Sequence, residues 1–147
     1  MFVGEYAHAL DGKGRLVLPS RFRDDLASGC YLTKGQERCL YVFDEQQFDR
    51  EVERVRSIPR ADRSYRTYAR VFFSGASDQQ LDKQGRIQIP AGLRAYASLN
   101  KDVAILGVGE RIEIWDSETW AAYLAGEADQ FYSDISEDTS RGGGGSQ

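Results

Sequence analysis

Apolar and polar residues alternate in two short stretches of the chain, and the two stretches match. RLVLP at 15–19 and RIQIP at 86–90 put apolar residues at every second position, Leu16 and Leu18 in the first, Ile87 and Ile89 in the second. Such alternation predicts a half-buried strand with Arg15 or Arg86 on its outer face. Turn chemistry precedes each stretch, DGKG at 11–14 and DKQG at 82–85. Before the turns stand a strand-like run from Glu5 to Leu10 and a shorter lead-in from Asp78 to Leu81. The expected unit is a β-hairpin whose loop carries Asp11 to Arg15, or Asp82 to Arg86. Gly14 and Gly85 fall where a tight loop calls for φ above zero, which glycine adopts without strain.

Further along, each half continues in the same style. SRFRDDLA after Pro19 and AGLRAYAS after Pro90 fit one or two helical turns, since proline is tolerated at a helix start. YLTKG, CLYVFD, VAILGVG and IEIWD read as strands. Asp44 and Asp116 fit N-caps, with Gln47 and Thr119 three residues later. Phe48, Val52, Val55 and Ile58 recur at helical spacing as far as Pro59. Ala61, Tyr65, Tyr68, Ala69 and Phe72 mark a second helix from about Arg60, and Trp120, Tyr123, Leu124 and Phe131 a C-terminal helix broken near Gly126.

These parallels amount to an internal repeat. DGKGRLVLPSRFR at 11–23 aligns without a gap on DKQGRIQIPAGLR at 82–94, 71 residues further on. Asp11/Asp82, Gly14/Gly85, Arg15/Arg86, Pro19/Pro90 and Arg23/Arg94 are identical pairs. LYVFDEQQF at 40–48 matches IEIWDSETW at 112–120, pairing Phe43 with Trp115 and Phe48 with Trp120, aromatics best read as core or interface anchors. The expected division is repeat one at 1–50, a helical connector at 51–74, repeat two at 75–125, and an acidic helix or tail at 126–147 ending in GGGGSQ.

Composition narrows the function classes. At 147 residues with 41% hydrophobic and 29% charged residues, the chain has enough apolar material for a core and does not read as disordered. Its longest apolar run, around Val103–Val108, is too short to cross a bilayer. The first residues carry an acid at Glu5 and no basic start, so an intracellular location is expected. Cys30 and Cys39 then read as buried free thiols. The net charge of −4 argues against a polyanion ligand until its distribution is seen. Five acids between 127 and 138 have no basic neighbour, and residues 1–125 carry 18 charges of each sign. Seven arginines between Arg50 and Arg70 are interleaved with Glu51, Glu53 and Asp62 along an apolar face, which favours a solvated helix face or a protomer contact over a second DNA surface.

Catalytic and metal chemistry find no footing. His8 is the one histidine and has no cysteine or carboxylate pattern around it for a metal. GKGR at 12–15 and GVGE at 107–110 lack the spacing of a phosphate-binding loop. No nucleophile with a base and no pair of carboxylates emerges, so neither an enzyme nor a cofactor nor a small-molecule substrate is expected.

The doubled DxxxR motif, followed by strand, proline and short helix, resembles the AbrB-type swapped-hairpin DNA-binding unit. Two such units in one chain, with IEIWD in the second, resemble the MraZ transcriptional regulators of bacteria over roughly Met1 to Tyr132. The resemblance implies an α+β fold in which two AbrB-like repeats form a pseudo-twofold swapped-hairpin β-barrel with flanking helices. It also implies a ring of identical subunits and a cytoplasmic, nucleoid-associated repressor. Its partner would be double-stranded DNA at short tandem repeats in the promoter of the division and cell-wall gene cluster.

The residue types fit that expectation. If the halves pair about a pseudo-twofold, the two loops lie side by side. Asp11 and Asp82 repel phosphate, so their expected role is to hold Arg15 and Arg86 in a bidentate pose with the remaining donors outward. Arginine so presented suits guanine O6 and N7 in the major groove. Lys13, Lys83, Arg21, Arg23 and Arg94 are expected to meet phosphates, which position a protein without reading sequence. Two plainer readings stand beside this one: a surface ion pair that merely ties down each hairpin, and a structural or antitoxin-like oligomeric module without direct DNA readout.

Overall fold

Leu16 and Ile87, equivalent residues of the two halves, face each other across a two-stranded antiparallel ribbon and are buried in the core. The structure, a computed structural model, describes residues 1–136. Glu137 and Asp138 of the acidic tail and the GGGGSQ end lie outside the described residues.

As far as Tyr123, the described residues form eight strands and five α-helices in chain order. The first half holds β1 (Phe2–Ala9), β2 (Arg15–Val17), α1 (Ser20–Arg23), β3 (Cys30–Lys34) and β4 (Leu40–Asp44). Then come α2 (Glu45–Arg56) and α3 (Arg63–Ser74). The second half repeats the plan with β5 (Ser77–Gln79), β6 (Arg86–Gln88), α4 (Ala91–Tyr96), β7 (Asp102–Gly109) and β8 (Ile112–Asp116), after which α5 (Ser117–Tyr123) begins. The molecule divides into Met1–Asp116 and the segment from Ser117 onward.

Strand pairing crosses between the halves. A six-stranded sheet runs β1-β7-β8-β4-β3-β5, and β2 pairs with β6 apart from it. Exchanging equivalent strands reverses this order onto itself, with Tyr41 opposite its equivalent Glu113 at the centre. Two expectations are corrected here. The sheets do not close into a barrel; they are two separate antiparallel ladders. Nor are the hairpins self-contained, because β1 pairs with β7 and β2 with β6. Alternation specifies which face of a strand is buried, not its partner. The eight residues of β1 find a full ladder on β7, which the three-residue β2 cannot supply.

The core lies between the ribbon and the large sheet. Leu16, Leu18, Ile87 and Ile89 join Leu32, Leu40, Ile105, Ile112 and Ile114 there, all essentially inaccessible. Full burial of such a side chain contributes about 1.5–3 kcal/mol. Phe22 of α1 is held edge-on by Phe2 and Tyr6 at 5.2 and 5.3 Å. Cys30 and Cys39 are buried and free, as expected. Desolvation pushes the Cys30 thiol up to about 11 and raises that of Cys39 as well, so neither is poised to react.

The helices keep the periodicity read from sequence. Asp44 caps α2 by accepting the Gln47 N–H at 2.8 Å. On α2, Val55 is buried, and Phe48 stacks on Tyr31 at 3.9 Å and on Phe72 of α3 at 6.1 Å. α3 starts at Arg63 rather than near Arg60, since Pro59–Asp62 closes a turn and Asp62 caps the helix through the Tyr65 N–H. In the segment from Ser117, α5 gives way to a π-helical turn over Leu124–Ala128 with its break at Gly126, and helix resumes from 129 to 136. Among the described residues no helix is long and apolar enough to cross a membrane.

Candidate nucleic-acid interface

Each DxxxR loop is organised by its aspartate. Asp11 Oδ1 accepts the N–H groups of Lys13 and Arg15, both at 2.9 Å, while Oδ2 accepts Arg15 Nε at 2.7 Å. In the second loop Asp82 Oδ1 accepts the N–H groups of Gln84 and Arg86 at 2.9 Å and Oδ2 accepts Arg86 Nε at 2.7 Å. Backbone bonds close both turns: Gly14 N–H to Asp11 O at 3.1 Å, and Gly85 N–H to Asp82 O at 2.9 Å. Each glycine sits at positive φ, 76° for Gly14 and 73° for Gly85. The expected bidentate grip is corrected in detail. One carboxylate oxygen is taken up by two backbone donors, so the guanidinium is held through Nε, and the Nη groups are left clear of the aspartate.

The hydrogen bonds set the charge state. The Arg15 backbone N–H, with Arg15 Nε and the Lys13 N–H behind it, holds the Asp11 carboxyl down at about 2. Asp82 is lowered in the same direction, first by the Arg86 backbone N–H. Both carboxylates therefore stay ionised wherever the arginines need an anion.

Cross-half pairing brings the two loops together. Arg15 lies opposite Gln88 and Arg86 opposite Val17, so both arginines share the face of the ribbon turned away from buried Leu16 and Ile87. Diagonal neighbours in an antiparallel ladder have Cα atoms about 7–8 Å apart. The loop backbones are also bonded into the opposite half, Leu18 N–H to Gly85 O at 3.0 Å and Ile89 N–H to Gly14 O at 2.9 Å.

Lys13, Lys83 and Arg21 are exposed and make no side-chain hydrogen bond or ion pair among the described residues. Arg23 and Arg94 are half-buried and otherwise engaged. Arg23 Nε donates to Leu18 O at 3.0 Å, and Arg94 Nη1 to Ile89 O at 2.9 Å. Each then passes under the loop of the other half: a Cβ on Gly85 would lie 2.4 Å from Arg23 Nε, and one on Gly14 1.6 Å from Arg94 Nη1. The two glycines are thus required by φ and by an arginine from the opposite repeat.

Three residues of this site escape a reading of the sequence. Gln88 Nε2 donates to Lys13 O at 2.7 Å, tying the second strand to the first loop. Gln79 Oε1 accepts the Gln88 N–H at 2.9 Å, and its Nε2 donates to Gln88 O. His8, the equivalent of Gln79, uses Nδ1 on Val17 O at 2.6 Å. The signal that existed was positional: His8 and Gln79 occupy the same place in the two repeats.

The sequence that builds this geometry has known relatives. A family model described as "MraZ protein, putative antitoxin-like" matches twice, over residues 1–71 and 72–141. A protein of Micrococcus luteus named "Transcriptional regulator MraZ" is 54% identical over 138 residues, 94% of this chain and 96% of its own length. Proteins of the same name from Salinispora arenicola and Thermobifida fusca are 50% identical over 137 residues and 49% over 138, covering 93% and 94% of this chain and 96% of their own length in each case.

Proposed function

The chain belongs to the MraZ family, and from that premise we propose that it regulates transcription by reading double-stranded promoter DNA with the Asp11–Arg15 and Asp82–Arg86 loops. One observation carries the reading. Two equivalent arginines, each held through Nε by an aspartate at 2.7 Å, share one face of a ribbon built from both halves. With Nε committed, the Nη groups of Arg15 and Arg86 are free of the aspartate to meet guanine O6 and N7, a contact worth about 1–3 kcal/mol of discrimination. Lys13, Lys83 and Arg21 take phosphates. Arg23 and Arg94 support the opposite loop from beneath and contribute positive potential to it.

On this reading the exchange of strands between repeats 1–50 and 75–125 is the swapped-hairpin device, and 51–74 and the tail flank it. About three phosphate contacts per protomer give a salt slope of about −2.7, which is weak for a specific binder. Several protomers in a closed homo-oligomeric ring, seated on short tandem repeats, raise the avidity by about 10²–10⁴. The protein acts as a cytoplasmic, nucleoid-associated repressor of the division and cell-wall gene cluster. Its chemistry is binding rather than catalysis, with no cofactor.

The test is a gel shift on the DNA upstream of the protein's own coding sequence, between about 50 and 200 mM salt, with the Arg15→Ala/Arg86→Ala protein beside wild type. Loss of the specific complex with the oligomer intact by sedimentation is the expected outcome. The antitoxin-like wording of the family description favours a second reading, a partner-binding module without DNA readout. Undiminished DNA binding by the double variant would put that reading ahead.

A further inference from the structure

Beyond the loops, the molecule has a second organised surface. Lys34, Tyr41, Tyr68, Val71, Phe72 and Tyr96 line a cleft of about 240 Å³ between α3, α4 and the β3–β4 end of the large sheet. Tyr68 is shared with a neighbouring hollow of about 340 Å³ that reaches Ile58, Asp62 and Tyr65, so the two form one groove along α3. Its walls are aromatic, and Val71 is left 46% exposed at its edge. The rim is mostly cationic. Lys34 Nζ and the Arg38 guanidinium both sit over the Tyr96 ring, at 5.4 and 4.8 Å from its centre. Arg63 lines the continuation along α3. Of the acids nearby, Asp62 caps α3 and Glu51 takes Arg54, while Glu37 stands exposed between Gln36 and Arg38.

A complementary surface exists on the same chain. In the helix at 129–136, Phe131, Tyr132 and Ile135 are 60%, 76% and 60% exposed. Spacings of one, three and four residues set them on one side of that helix, with Asp129 and Asp134 at the flanks of the apolar stripe. The region carries no basic side chain between 126 and 138. An aromatic stripe edged with carboxylates is what an aromatic groove edged with ammonium and guanidinium groups would select.

We propose that the α3 groove receives the acidic, aromatic helix at 129–136 of a second copy of this chain, anchored by Phe131 and Ile135. The junction is head-to-tail: each copy offers one groove and one helix, so the contact propagates until a ring closes. It rests on the proposed oligomer only in requiring that copies associate, and it is independent of how Arg15 and Arg86 are used.

The experiment uses the full chain and two single variants at exposed positions, Val71→Glu in the groove and Phe131→Glu on the helix, followed by native mass spectrometry and sedimentation velocity. Each variant alone should lose the wild-type assembly and run as one chain, while far-UV circular dichroism stays as in wild type and melting stays cooperative at a lower temperature, as loss of subunit contacts requires. Mixed in equal amounts, they should form a one-to-one heterodimer, since one intact groove and one intact helix remain, and no larger species. Wild-type mass in either variant overturns the junction while leaving the oligomer and DNA readings untouched. Smaller species that do not recombine on mixing overturn the head-to-tail pairing. A wild type that is itself monomeric overturns both this junction and the ring.

Discussion

The two DxxxR loops are the same object built from different residues. Their aspartate–arginine contacts agree, at 2.7 Å for Nε and 2.9 Å for the backbone donors. Around that frame they diverge. The first loop carries Lys13 where the second has Gln84, and Gln84 Oε1 accepts Arg86 Nη2 at 3.0 Å, a restraint that Arg15 lacks. Arg21 of α1 has glycine, Gly92, as its equivalent in α4. The feeding strands differ too, eight residues in β1 against three in β5. Duplication has kept what holds the guanidinium and released what surrounds it. Each loop carries one exposed lysine, Lys13 or Lys83, so the first half gains its extra exposed charge from Arg21 of α1, and the second loop holds the more rigid arginine.

The largest expected effect falls where the halves are alike. Leu16 and Ile87 are paired and essentially fully buried, so Leu16→Ala and Ile87→Ala should each destabilise by about 2–5 kcal/mol, and by similar amounts. Urea denaturation of the two variants measures this. A twofold difference between them would show that the pseudo-symmetry of the core is only topological.

Next come the loop glycines. Gly14→Ala and Gly85→Ala each set a Cβ at positive φ, costing about 1–2 kcal/mol, and each displaces the arginine crossing beneath. A Cβ at Gly14 would meet the terminal Nη1 of Arg94, which can swing aside, whereas one at Gly85 would meet the mid-chain Nε and Cδ of Arg23 at 2.4 and 2.7 Å, which makes the second substitution the worse of the two. Thermal melts rank them, and Arg94→Ala should relieve part of the Gly14→Ala defect by removing the clash.

How much of this was legible follows from the same residues. The repeat, the loops, the braced arginines and the order of strands and helices could be read because each leaves a local mark: a turn glycine, a period of two, a proline after a strand. Strand partners left no such mark. RLVL and RIQI state that Leu16 and Ile87 face inward, yet either strand satisfies that face in a local hairpin or across the molecule. That the two ladders stay separate instead of closing into a barrel, and that Arg23 and Arg94 reach beneath the loops, was hidden for this reason. Both depend on which loop lies over which strand, a fact of tertiary packing. The bonds of Gln79, Gln88 and His8 left no mark in the sequence for the same cause.

A smaller effect separates the loops by charge. Lys13→Ala should reduce the magnitude of the salt slope of DNA binding by about 0.9 for the phosphate that Lys13 meets. Gln84→Ala frees Arg86 Nη2 without removing a charge, so it should leave the slope alone and weaken sequence discrimination by at most about 1 kcal/mol. Fluorescence anisotropy on specific and scrambled duplexes over a salt series distinguishes the two. Equal slopes for both variants would mean that Lys13 meets no phosphate.

The smallest effect concerns the carboxylates. Asp11 is held at about 2, below its ordinary 3.8, and Asp82 is lowered as well. A group whose folded value lies below its unfolded one adds stability that is complete above the ordinary carboxylate range. For Asp11 that stability is lost as pH falls from 3.8 through about 2. The loops should therefore hold their shape through mild acid, and carboxyl-carbon NMR titration should give midpoints below 3.8 for both aspartates. The leading cause for Asp11 is the Arg15 backbone N–H, ahead of the guanidinium. Arg15→Ala keeps that N–H, so the Asp11 midpoint should rise only part of the way to 3.8. A full return would mean that the guanidinium, and not the turn, sets the charge of the loop, and the two arginines would then be partners in holding their aspartates rather than passengers of a preformed turn.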